Sequence, residues 1–183
     1  MPDAIVLLKN DHKDVERLFK QFERLGDRAY VSKRKVVDEI IEALSVHAAL
    51  EEQHFYPAVR EQSTDIEADV LEGLEEHHIV KWTLSELADL DPEHERFDAK
   101  VTVLIESVRH HVEEEEGEMF PAVRAALGRK ALQDLGEVMQ SAKRSVPVAP
   151  HPKAPDEPPA NLAAAAGVVV LDRAKRRLGR RLR

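Results

Sequence analysis

The chain has 183 residues, enough for one domain with a sizeable core or for a smaller domain plus an appendage. With 35 acidic against 27 basic residues its formal charge is −8, and it has no cysteine. That absence excludes disulfides, thiolate zinc sites, cysteine-ligated iron–sulfur clusters and thiol nucleophiles. Nine histidines in an acidic, cysteine-free chain are the feature to be explained.

Helical periodicity begins at once. Asp3 is the expected N-cap, and Ile5, Leu8, His12, Val15, Leu18, Phe19 and Phe22 recur at three- and four-residue steps up to Gly26. Ser32 is expected to cap a second helix through Val36, Val37, Ile40, Ile41, Leu44 and His47 to about Gln62, bent at Pro57. A third opens at Thr64 or Asp65 and carries Val70, Leu74, His77, Trp82 and Leu87 as far as Asp91-Pro92. The fourth extends from about Glu93 to Leu127, with Val101, Leu104, Ile105, Val108 and His111 on one stripe and Gly128 as its stop. A short amphipathic fifth contains Leu132, Leu135 and Met139.

Short connections make neighbouring helices antiparallel. The expected fold is therefore all-α: an up-down-up-down four-helix bundle of two duplicated hairpins, with the short fifth helix beside it. The division reads as a bundle over 1–143, a proline-rich linker over 144–160 and a basic tail over 161–183. The tail has seven Arg/Lys against one Asp, so it carries +6 and residues 1–160 carry −14. Its apolar run, Leu162 to Leu171, has ten residues, about half of what a membrane span requires. The start of the chain lacks a basic n-region and a cleavage site, so cytoplasmic residence is expected, with peripheral attachment at the inner membrane surface as an option for the tail.

An internal repeat is the most informative feature. The segment from His47 to Arg60 aligns with that from His111 to Arg124 at an offset of 64, with seven of fourteen positions identical. At nearly the same offset Asp11-His12 matches Glu76-His77. Each hairpin thus supplies one histidine on its first helix and a His-x-x-x-Glu on its second: His12 with His47 and Glu51, then His77 with His111 and Glu115. Residues four apart share a helix face, and here that face is also the apolar stripe. Burying carboxylates is costly unless a cation compensates them. One inward histidine is an ordinary core residue and a glutamate run an ordinary helix surface. The same set in both repeats is neither, and it points to metal binding.

The sequence resembles the hemerythrin-like, or HHE cation-binding, family over roughly residues 3–127, on His12, His47-x-x-x-Glu51, His77, His111-x-x-x-Glu115 and the endings Tyr56-Pro57 and Phe120-Pro121. The resemblance implies a four-helix bundle holding two iron ions, His12 and His47 on one, His77 and His111 on the other, Glu51 and Glu115 bridging. Manganese and zinc accept the same nitrogen and carboxylate donors. Oxygen-carrying hemerythrins add a histidine one turn before the position of His77, where this chain has Gly73. The implied activity is binding or reduction of oxygen, peroxide or nitric oxide; the alternative is iron storage or sensing without turnover.

His54 and Glu118 lie seven residues beyond a ligand histidine, and with Tyr56 they are candidates to orient ligands or relay protons. Trp82 is expected to be a packing residue, and His94, His110 and His151 to be exposed. For the tail, a membrane surface, a protein shell and a solvated segment are the options; no aromatic cluster supports nucleic acid.

Overall fold

Within a computed structural model, residues 2–62 and 66–181 are described, apart from the side chains of residues 62, 166, 171 and 173–181. The expected helix opening at Thr64 or Asp65 and the basic side chains of the tail lie outside the described residues.

Asp3 starts α1 (Ala4–Glu23) as expected, its side chain accepting from the Val6 backbone N–H at 2.8 Å. Next comes α2 (Tyr30–Leu50), which begins at Tyr30 and not at a Ser32 cap. Glu51–Phe55 then forms one π-turn, followed by α3 (Tyr56–Gln62). The second hairpin repeats the plan: α4 (Glu67–Asp89), α5 (Phe97–Glu114), a π-turn over Glu115–Met119, and α6 (Phe120–Ala142). Helix α5 starts four residues later than expected, because Pro92 and the Asp91 carboxylate, which accepts from the Glu93 N–H, hold a turn there. Gly128 interrupts α6 at φ 71°, a conformation that side chains disfavour, so the expected stop and the expected fifth helix are both present. The architecture is an all-α bundle of about five helices, in which α1 packs on α2, α4 on α5, α2 on α4, and α6 across α1.

Two apolar clusters fill the bundle. One joins α1, α3 and α6 around Leu8, Leu50, Phe55, Val59, Phe120 and Leu132. The other occupies the opposite end around Phe19, Ile40, Leu84, Phe97 and Leu104. His12, His47, His77 and His111 lie between them along their helices, so a polar layer is clamped by apolar packing on both sides.

The proline-rich segment does not stand off from the bundle. Val146 is buried in the first cluster, and Asp156 pairs with Lys81 of α4. At the start of α7 (Ala160–Arg181), Asn161 donates to the Glu52 carbonyl at 3.3 Å. Trp82, expected as a packing residue, is 42 % exposed and donates to His78; its flank faces the cavity beneath this strap. His151, expected to be exposed, is half-buried and pairs with Asp172 at 2.9 Å. Among the described residues no helix is long and apolar enough to cross a membrane.

Candidate metal centre

Each π-turn ends against a proline. In a continuing α-helix the rings of Pro57 and Pro121 would meet the carbonyls four residues back. The wider turn avoids this, and the N–H groups of Tyr56 and Phe120 bond five residues back, to Glu51 and Glu115. The consequence is rotational: one extra residue turns everything after it by about 100°. Glu51 and Glu52 are therefore both buried, and Phe55 and Met119 continue the inward stripe in place of His54 and Glu118.

The six residues expected from the repeat converge. Nε2 of His12 lies 3.2 Å from Nε2 of His47, and Nε2 of His77 lies 3.2 Å from Nε2 of His111. The Glu51 carboxylate oxygen Oε2 stands 3.1 Å from His47 and 3.3 Å from His77, reaching across both pairs. Glu115 Oε2 does the same from the other hairpin, 3.3 Å from His12 and 3.6 Å from His111. Donor atoms of His12, His47, Glu51 and Glu115 fall within 4.8 Å of one another, as do those of Glu51, His77 and His111.

The polar accounting shows what is missing. Both oxygens of Glu51 and Oε2 of Glu115 are buried without a hydrogen-bond donor, and Nδ1 of His47 is buried without any hydrogen-bond partner. Orphaned carboxylate oxygens flanked by imidazole nitrogens are costly in an apolar interior and suit two cations between them. The residues present thus fit a two-metal centre of nitrogen and oxygen donors. Without metal, protons supply the positive charge. Burial opposes a charged ring at His12, yet Glu115, Glu51 and Glu116 outweigh it and raise its pKa to about 9. Burial likewise opposes charge on His77, but Glu51 and Glu52 prevail and bring it to about 10. Glu51 stays well below the usual carboxylate range, because His47 and His77 overcome the effect of its own burial.

Three carboxylates absent from the expected set hold the imidazoles from behind. Glu116 meets His12 Nδ1 at 2.9 Å, Glu52 meets His77 Nδ1 at 3.1 Å, and Glu76 meets His111 Nδ1 at 2.6 Å. Such contacts fix the tautomer and aim Nε2 at the centre. Glu52 and Glu116 are identical in the two repeats, which was their visible signal; an α-helical register places them off the inward face. Lys81 bonds Glu52 at 3.0 Å, so the chain of contacts extends from His77 to Asp156 of the strap.

Tyr56, one of the three further candidates, does reach the centre. Its hydroxyl donates to Glu115 Oε1 at 3.1 Å, and its ring stacks on His77 with centroids 5.6 Å apart. Burial, with Glu115 and Glu51 nearby, pushes its pKa well above 10, so the phenol keeps its proton. Gly73 makes this possible: a Cβ there would lie 2.8 Å from the Tyr56 hydroxyl oxygen and 3.6 Å from His111 Cε1. The phenol occupies the space that a side chain at position 73 would need. His54 is half-buried, with its pKa lowered by burial, and Glu118 is exposed; among the described residues neither bonds to the six.

The comparison with known proteins agrees with this geometry. The model of the hemerythrin HHE cation binding domain matches residues 3–123. The chain belongs to the hemerythrin HHE family. A hemerythrin-type di-iron-binding site is accordingly indicated, with a His/Glu set consistent with small-oxidant binding. Among curated relatives of this hemerythrin-like chain, a DNA nickase of Nostoc sp. is 27 % identical over 140 residues, 76 % of this chain. The chain spans only 39 % of that protein's length. An uncharacterized hemerythrin-like protein of Schizosaccharomyces pombe is 23 % identical over 150 residues, covering 81 % of this chain and 73 % of that one. The crystal structure of a hemerythrin HHE cation binding domain-containing protein from Mycobacterium kansasii has the same fold, with TM-score 0.66 and 24 % identity over 78 % of this chain and 86 % of that one.

Proposed function

We propose that His12 and His47 hold one iron ion, His77 and His111 the other, and Glu51 and Glu115 bridge them, and that the centre binds and reduces small oxidants such as oxygen, peroxide or nitric oxide. The observation that carries this is the position of the two Oε2 atoms, each facing one histidine from either pair and each without a donor. Two bound irons would act as Lewis acids toward a small ligand and supply electrons to it.

The protein's own contribution is selection and placement. Val15, Leu44, Val80, Val108 and Val112 cap the four imidazoles with a pocket of about 20 Å³, room for a diatomic molecule and little more. Val15, Val108 and Val112 also line a groove of about 930 Å³ between α1 and α5, an approach from solvent to His12. Arg109 ties the two walls of this groove together through Glu16 and Glu23. On the opposite side, the Tyr56 hydroxyl holds a proton at Glu115 Oε1.

Metal analysis and absorption spectra of the purified chain before and after peroxide, azide and nitric oxide test the proposal. Two irons per chain with bands that respond to these ligands are expected. Iron with an unresponsive spectrum favours the storage or sensing alternative. The same proposal places the chain in the cytoplasm and divides it at 143 and 160, the linker acting as a strap on α4. For the basic tail it keeps an anionic membrane surface and a protein shell as partners; removing residues 173–183 should release the protein from either.

A further inference from the structure

We propose that the acidic pocket between α4 and the second π-turn is the entrance through which divalent cations reach the buried centre. The inference rests on the two-metal reading above. The pocket holds about 60 Å³, enough for a cation that has shed part of its water. Its rim is formed by Asp69, Glu72, Glu76 and Glu118, its floor by His111 and Glu115, and no lysine or arginine lines it.

Two observations distinguish it from an ordinary acidic surface. Glu115 is 2 % exposed and lines the pocket, and its Oε2, without a hydrogen-bond donor, faces His12 and His111, so the pocket ends on a buried carboxylate that reaches the centre. Glu76, at the edge, also comes with Glu114 within 4.8 Å of an imidazole nitrogen of His110, a second group of nitrogen and oxygen donors beside the pocket. Among the described residues Asp69, Glu72 and Glu118 form no ion pair, so no basic side chain offsets the charge of the rim.

The duplicated hairpin supplies an internal control. By the repeat offsets, Asp69, Glu72 and Gly73 correspond to Ala4, Leu7 and Leu8, and Glu114 and Met119 to Leu50 and Phe55. Those five are all buried in the cluster beneath α6. Asp11, the counterpart of Glu76, is bound by Lys143 at 2.5 Å. One end of the pseudo-symmetric centre is therefore plugged with hydrocarbon and neutralised, and the other is open and anionic. A cleft lined by one sign of charge concentrates counter-ions and accelerates their capture.

The test compares metal loading of the metal-free full chain with the triple variant Asp69→Asn, Glu72→Gln, Glu118→Gln. The control, Asp89→Asn, Glu93→Gln, Glu95→Gln, loses the same charge at the far end of α4, about 25 Å away along the helix. Uptake of Co²⁺ is followed by stopped-flow absorption at several ionic strengths. The pocket variant should load roughly tenfold more slowly, with weaker salt dependence, and reach the same two equivalents. The control should load like the parent. Equal rates for parent and pocket variant, or equal slowing in the control, would overturn the entrance. A lower final stoichiometry in the pocket variant would also overturn it, by making these side chains ligands. If the parent itself fails to take up two equivalents, the two-metal reading fails, and the entrance with it.

Discussion

The two hairpins build one centre from equivalent positions and surround it in opposite ways. In the first, position 8 is a leucine sealed under α6; in the second, the corresponding position 73 is a glycine whose vacant side-chain space receives the Tyr56 phenol. In α1, Glu16 lies at the surface with Arg109; its counterpart in α4, Lys81, is buried between Glu52 and Asp156. The ligand layer follows from the duplication, while closure, access and charge follow from what each copy has acquired since.

Removing ligands tests the part the copies share, and the largest effects are expected there. His47→Ala and His111→Ala should each lose at least one metal equivalent by elemental analysis, and Glu51→Ala or Glu115→Ala should lose more, since each carboxylate reaches both pairs. Full occupancy in His111→Ala would refute the assignment. The proton-filled centre has its own pH signature. The pKa values of His12 and His77 rise from 6.5 to about 9 and about 10, so their stabilisation is complete below pH 6.5 and disappears as pH rises through 9 to 10. Glu51 is shifted the other way, and its contribution is present above about pH 4.5 and fades on acidification. Thermal unfolding of the metal-free protein should therefore peak between roughly pH 4.5 and 6.5 on this account. Metal loading runs opposite, since imidazoles bind metal only after losing these protons; acid should release it.

Smaller effects sharpen the contrast between copies. Leu8→Ala leaves a cavity and should cost about 2–5 kcal/mol in denaturant melts. Gly73→Ala errs in the other direction, crowding the phenol, at about 1–3 kcal/mol. It should also alter the near-ultraviolet tyrosine signal, because Tyr56 must leave Glu115. Lys81→Met strands Glu52 and should destabilise by about 3 kcal/mol. Arg109→Ala, which removes the exposed pairing with Glu16 and Glu23, should cost under about 1 kcal/mol. Comparable losses from these two would contradict the burial difference between them.

Much of this was legible in the residues themselves. The duplicated His and His-x-x-x-Glu spacing marked six donors, the stripes marked the helices that carry them, and Gly128 marked a real break. These signals are local: a period of 3.6, an i, i+4 relation and a left-handed backbone need no knowledge of distant chain. What lay outside the pattern depends on register and on partners far away in sequence. The π-turns before Pro57 and Pro121 rotated Glu52 and Glu116 onto the histidines and His54 and Glu118 away from them, a shift invisible to counting in α-helical steps. The use of Gly73 became clear only when Tyr56 arrived beside it from another helix. Likewise the proline segment reads as a tether by composition, yet Asp156 finds Lys81 and lies against the bundle.

The sequence by itself determined that two equivalent helical hairpins would turn imidazoles and carboxylates into an apolar interior, because donor spacing and helix periodicity coincide. Only the tertiary structure decided which nitrogen each carboxylate holds, which end of the centre is sealed and which is open. Those outcomes depend on α6 packing across α1 and on the strap lying against α4, and no local pattern encodes such long-range contacts.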